Sequence, residues 1–224
     1  MPAYYPVYLD LNGRPCVVVG GEHEAERKVQ GLLEHGARVT LISPEVSIVL
    51  QDLAGRGLIE WKRREYRQGD LDGSFLVVSE NLDEDEYTRV AQEAHSRGIL
   101  LNVVDRPELC SFIAPAIARR GQNGEVQCAI STAGLSPALA RRLREMMSDP
   151  DLCLCLQWAD MVDVLAEVRT EVRGKGLRPD PERWQECMDD ELLAMFRGGQ
   201  VEQARERLRR MLEEQPHASQ GAGA

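Results

Sequence analysis

The chain has 224 residues, 43% of them hydrophobic and 29% charged, with a formal net charge of −10. That length suits one large domain or two small ones with a real core, and the composition is that of an ordinary soluble globular protein. Acids outnumber bases evenly along the chain, 15 to 10 after residue 150 and 22 to 17 before it, so no clustered excess of Lys and Arg marks a nucleic-acid surface.

Residues 4–11 read as an extra strand or an arm whose tyrosines pack, leading into the turn Asn12-Gly13. Strand and helix patterns then alternate. Pro15–Gly20 is a continuous apolar run, which suits a strand buried on both faces of a parallel sheet. A helix follows with Ala25, Val29, Leu32 and Leu33 on one face, and Gly36 ends it. Arg38–Ile42 is the second strand, Ser47–Arg56 a helix, and Leu58–Arg63 the third strand. After a turn at 69–73 come the fourth strand, Phe75–Ser79, a helix over Asp83–Arg97, and the fifth strand, Leu100–Val104. Five strands with helices between them predict an α/β fold with a doubly wound parallel sheet. Pro107 stops the last strand, since proline has no N–H for a ladder.

Val126–Ser131 reads as a further strand, followed by a helix with Ser136 as its cap and Pro137 in its first turn. After Asp149-Pro150 only helical periodicity remains, over about 151–173, 181–197 and 200–214. The last nine residues have the composition of a disordered tail. No apolar run reaches the length of a membrane span, and the first ten residues lack a basic region ahead of an apolar one. A cytoplasmic protein with no membrane contact is expected. The six cysteines form no CxxC pair and read as buried free thiols; the four histidines show no metal-ligand spacing, and no metal site is expected.

Three places carry candidate chemistry. The first is the turn VVVGGEHEAERK between the first strand and first helix, where helix N–H groups can hold a dinucleotide pyrophosphate. Gly20 fills the first glycine of GxGxxG and Ala25 the last small residue, but Glu22 stands at the second glycine, where a carboxylate crowds and repels phosphate. The plainer reading is a tight turn in a nucleotide fold that no longer binds nucleotide tightly. Ser43-Pro44 ends the second strand without the acid that would hold a ribose. The second is Asp105, an acid at the carboxyl edge of the sheet, suited to moving a proton or guiding a cation; the plainer reading pairs it with Arg106 on the surface. The third is the set Arg119, Arg120, Arg141, Arg142 and Arg144, able to clamp an acidic ligand or to form ordinary surface salt bridges. Ser131-Thr132 ahead of the capped helix could meet an anion or be modified, although most serines at such places only cap or turn.

NVVDRPELCSFIAPAIARRG followed by ISTAGLSPALARRLR closely resembles the precorrin-2 dehydrogenase and sirohydrochlorin ferrochelatase family of sirohaem synthesis, over about residues 4–149. The resemblance implies an NAD-binding sheet domain over 1–112, a dimerisation segment over 113–149 and a helical domain over 150–215, with 216–224 a disordered tail. It implies NAD-dependent oxidation of precorrin-2 to sirohydrochlorin in a homodimer, with insertion of Fe2+ or Co2+ at the same site in some members. Asp105 matches the family's key acid/base. Gly20, Gly21, Glu22, His23, Ser43, Pro44, Ser79, Asn81, Asn102 and Val104 fall on the cofactor side. Asn102, Pro107, Cys110, Phe112, Arg119, Arg120, Ser131 and Arg141 fall on the tetrapyrrole side. The departures lie with the cofactor: Glu22 for a third glycine, Ser79-Glu80-Asn81-Leu82-Asp83 where the family reads ATDD, and Tyr87 for the Asn that follows. Two other readings stay open, a chelatase that does without NAD and a non-catalytic tetrapyrrole-binding dimer.

Overall fold

The computed structural model describes residues 4–153 and 156–214. The chain separates into two compact units, divided between Ala114 and Pro115.

The first unit is a five-stranded sheet: β1 (Pro15–Val19), β2 (Arg38–Ile42), β3 (Ile59–Lys62), β4 (Leu76–Ser79) and β5 (Leu100–Val103). All neighbours are parallel, in the order β3-β2-β1-β4-β5. The order reverses between β1 and β4, which opens a crevice at the carboxyl ends of those strands. Helices α1 (His23–Glu34), α2 (Ile48–Gly55) and α3 (Glu84–Ser96) connect them. The unbroken apolar run of β1 serves both faces. Cys16 and Val18 pack with Ala25, Val29 and Leu32 of α1 and Leu50 of α2. Val17 and Val19 pack with Tyr87, Val90, Ala91 and Ala94 of α3. Each side chain points opposite to its neighbour along a strand, so a two-sided core needs apolar residues at every position.

The helix starts follow local chemistry. Ser47 accepts the Leu50 N–H at 3.3 Å and Asp83 accepts the Glu86 N–H at 2.7 Å, which caps α2 and α3. Glu93 of α3 is buried, and its carboxylate takes the Tyr66 hydroxyl, the Gly69 N–H (2.8 Å) and the Leu71 N–H (3.3 Å). It thus pins the 66–71 loop under the sheet, and burial pushes the Tyr66 phenol upward. Residues 4–11 form no strand, and Tyr5 and Tyr8 are exposed.

The second unit begins with an antiparallel pair, β6 (Ala116–Arg120) and β7 (Val126–Ile130), with α4 (Pro137–Ser148) against it. The strand β6 has no counterpart in the pattern reading, because IARR lacks the alternation of a half-buried strand. The Ser136 hydroxyl accepts the Leu139 N–H and Pro137 opens α4, as the sequence predicts. Beyond it lie α5 (Val162–Gly174), α6 (Pro181–Cys187), α7 (Asp190–Arg197) and α8 (Val201–Glu213) around a core of Met161, Val168, Leu192 and Leu208. The periodicity over 151–173 corresponds to a helix that starts only after the 3-10 turn Ala159–Met161. The pattern over 181–197 is two helices, because Asp189 leaves helical geometry to cap α7 through the Leu192 N–H at 2.8 Å. Cys155 and the tail at 216–224 lie outside the described residues.

Candidate functional site

The site lies at the carboxyl edge of the sheet. Register pairs Val19 with Ser79 and Ser79 with Val103. Gly20, Glu80 and Val104 therefore leave the sheet at one level, with the outer two roughly 10 Å apart by strand spacing.

Gly20 turns the chain with φ +113°. That conformation suits glycine, and a Cβ there would collide with the Glu80 carbonyl oxygen. A Cβ on Gly21 would collide with the Glu45 carbonyl. The two glycines thus let the chain cross close to its neighbours and lay the start of α1 over the sheet edge. Glu22 sits at the N-cap without a side-chain cap, and its N–H donates to the Glu80 carboxylate at 3.0 Å. The Ala25 amide, one turn further on, favours the charged form of the same carboxylate. Glu80 is buried, 4% exposed. Burial pushes its carboxyl above the ordinary value, the Ala25 and Glu22 amides oppose that, and the charges of Glu22 and Glu24 add to it.

A groove of about 570 Å³ opens beside this turn, walled by Gly20, Gly21, Ser43, Pro44, Asn81 and Leu82. Its other walls include Glu22, Glu45, Glu65 and Glu86, and among the described residues no Lys, Arg or His. The Ser43 hydroxyl is spent on the Glu45 carbonyl. The Ser79 hydroxyl is fully buried and has no partner. His23 points into solvent beside Glu26. Asn81 takes φ +48°, the bend that carries the chain from β4 toward α3.

At the end of β5, Asp105 is exposed and holds φ +59°, a region that Asp tolerates better than most residues. Arg106 does not pair with it. Its guanidinium binds Glu84 and lies over the Tyr87 ring at 5.6 Å. The carboxylate of Asp105 is left open to a ligand. Below it, Asn102 donates to the Phe112 carbonyl at 3.2 Å and accepts from Lys28 Nζ at 3.4 Å. The Cys110 sulfur takes the Val103 N–H at 3.1 Å, and burial raises its thiol pKa. These contacts fold the 107–112 loop back onto β5; Val104 is part-buried and Pro107 exposed at its rim.

Two residues here escaped the pattern reading. Lys28 is mostly buried, and burial, then Arg27, lowers its pKa. Its spacing gives the signal: three after Ala25 and four before Leu32, it falls on the apolar stripe of α1. Glu80 differs from its apolar neighbours on β4, but nothing local says that its carboxylate reaches α1.

In the second unit, the Arg120 guanidinium is buried and bound to Asp160 at 2.6 Å, with Nη1 unpartnered. Arg141 is exposed and paired with Glu145 at 2.9 Å. Arg119 is exposed. The Ser131 hydroxyl accepts the Ala133 N–H at 3.0 Å, within a turn where Ala133 takes φ +51°.

Comparisons with known proteins bear on the family and the fold. Residues 7–116 match a family described as "Putative NAD(P)-binding". A siroheme synthase of Methylococcus capsulatus is 35% identical over 203 residues, 90% of this chain and 42% of that protein. Siroheme synthase 1 of Aeromonas salmonicida is 40% identical over 144 residues, 64% of this chain and 30% of that protein. The chain thus spans less than half the length of these relatives. A solved structure titled "SirC, precorrin-2 dehydrogenase" superposes with a TM-score of 0.70 at 27% identity, covering 91% of this chain and 100% of that one.

Proposed function

We propose that this chain, which belongs to the precorrin-2 dehydrogenase family, oxidises precorrin-2 to sirohydrochlorin with NAD, a step of sirohaem synthesis. The observation that carries the reading is the exposed carboxylate of Asp105, unpaired among the described residues, on the same sheet edge as a glycine turn whose Glu22 amide binds an anion.

The residues present fit a dinucleotide. The Glu80 carboxylate on the Glu22 amide stands in for a phosphate and supports reading the turn as an anion site. Gly20 and Gly21 bring bare backbone to the groove, and Ser43, Pro44 and Asn81 border it. NAD, when bound, supplies the hydride acceptor. Hydride loss from the ring leaves a proton to be removed, and Asp105 takes it. Asn102, held by Lys28 and the Phe112 carbonyl, keeps the floor beneath Asp105 in place. The loop residues Pro107, Cys110 and Phe112 shape that floor. Within the second unit, Arg120 and Arg141 are held by Asp160 and Glu145, and an acidic ligand would have to compete with those carboxylates for them.

A second reading has a specific support: the four glutamates in the groove repel a pyrophosphate, which favours a chelatase that inserts Fe2+ or Co2+ without NAD. On that reading Asp105 strips pyrrole protons as the metal enters. A homodimer is supported by the exposed apolar stripe of Leu135, Leu139, Leu143 and Met146 around α4. The thiols of Cys16, Cys110, Cys128 and Cys187, in no disulfide among the described residues, support a reducing, cytoplasmic setting.

The test is anaerobic turnover of precorrin-2 with and without NAD, followed by added metal. NADH and sirohydrochlorin should appear in equal amounts. Asp105→Ala should lower the rate at least about a hundredfold, the usual minimum for a positioned acid/base. Oxidation that proceeds equally well in that variant would remove Asp105 from the mechanism. Metal insertion without any NAD reduction would leave the chelatase.

A further inference from the structure

The amides that open α1 are not waiting for a ligand. Glu80 follows β4 directly, and its side chain turns back under the β1–α1 turn. Its carboxylate is the acceptor for the Glu22 N–H at 3.0 Å, and the Ala25 amide favours its charged form. A Cβ added to Gly20 would meet the Glu80 Cγ at 2.9 Å as well as its main chain. Two separate facts, the filled Glu22 amide and the filled space against Gly20, thus place Glu80 where a dinucleotide's phosphates approach such a turn. A carboxylate and a phosphate share charge sign and acceptor chemistry, and an N–H donates to one of them at a time.

The charged form is also held at a cost. Burial disfavours the Glu80 carboxylate, and the nearby Glu22 and Glu24 carboxylates repel it, while the Ala25 and Glu22 amides oppose both. An anion so placed is inexpensive to move, provided another anion replaces it on the amides.

We propose that Glu80 is an internal competitor for the cofactor pyrophosphate, so that the dinucleotide affinity of this chain is set by displacement of the Glu80 side chain from the start of α1. The inference rests on the dinucleotide reading of the turn given above. It makes Glu80 an affinity-determining residue. A cap with no such role would only lower the stability of the free protein when removed.

The experiment is calorimetric titration of the full chain and of its Glu80→Gln and Glu80→Ala variants with NAD, and with ADP as a probe of the phosphate contacts alone. Both variants should bind both probes more tightly, Ala more so than Gln, with at least about a tenfold fall in Kd for Glu80→Ala. Thermal unfolding of the free variants should move down while the upward shift on adding NAD grows. Equal or weaker binding in both variants, with NAD bound by the wild type, would overturn the competitor role and leave the dinucleotide reading standing. Absence of binding to all three proteins at millimolar NAD would overturn both. In the wild type itself, saturation with NAD should move the carboxyl-carbon NMR signal of Glu80; a signal unmoved at saturation overturns the proposal even if neither variant folds.

Discussion

The residues that matter most here are acids, and their surroundings give them different tasks. Asp105 is exposed and unpaired among the described residues, Glu80 is buried on the Glu22 amide, and Asp70 is locked to a cation. Arg64 grips Asp70 through two contacts of 2.6 Å, the Arg67 N–H adds one at 2.8 Å, and the carboxylate is 8% exposed. The Arg64 guanidinium pulls its pKa down to about 2. A folded-state pKa below the unfolded one stabilises the fold above the unfolded value, near pH 4, and that stabilisation is lost as pH falls through about 2. Asp70→Asn should therefore cost on the order of 1–2 kcal/mol at neutral pH after allowance for solvent screening. The difference from wild type should vanish in urea melts at the acid end; a constant difference at all pH values would show that the loss is not electrostatic.

At the scale of elements, caps decide boundaries that periodicity cannot. Asp189 ends what reads as one helix and starts α7, and its carboxylate also takes Arg207 at 2.8 and 3.0 Å. Asp189→Ala should cost about 1–2 kcal/mol, as a lost cap with a charged partner does. Thermal melts check this, and an unshifted midpoint would mean that α6 and α7 merge without penalty. The end of β2 makes a second prediction. It offers Ser43 and Pro44 with Glu45 beside them, and among the described residues no cation lines the groove. A dinucleotide carrying a 2′-phosphate should then bind at least about tenfold more weakly than NAD. Equal Kd values in parallel titrations would contradict an acidic groove as the selector.

At the scale of the molecule, the stripe of Leu135, Leu139, Leu143 and Met146 leaves α4 with an apolar face that the described residues do not cover. Leu139→Glu together with Leu143→Glu should give a monomer in sedimentation velocity while far-ultraviolet circular dichroism is kept. A double variant that sediments like the wild type would rule this face out as the interface. The sequence by itself determined the five strands in order, the helices between them, the capped start of α4 and the candidacy of Asp105. All of these are written in signals a few residues long, apolar runs, helical spacing and caps. Only the tertiary structure decided that Glu80 fills the turn 58 residues before it, that Arg120 is bound to Asp160 40 residues on, and that Arg106 leaves Asp105 open by turning to Glu84. Those pairings are made by the crossing of strand ends and the packing of helices. A partner brought close by the fold leaves no mark on the local pattern of either residue, so the chemistry of the β1–α1 turn was set by a side chain that the turn's own sequence does not contain.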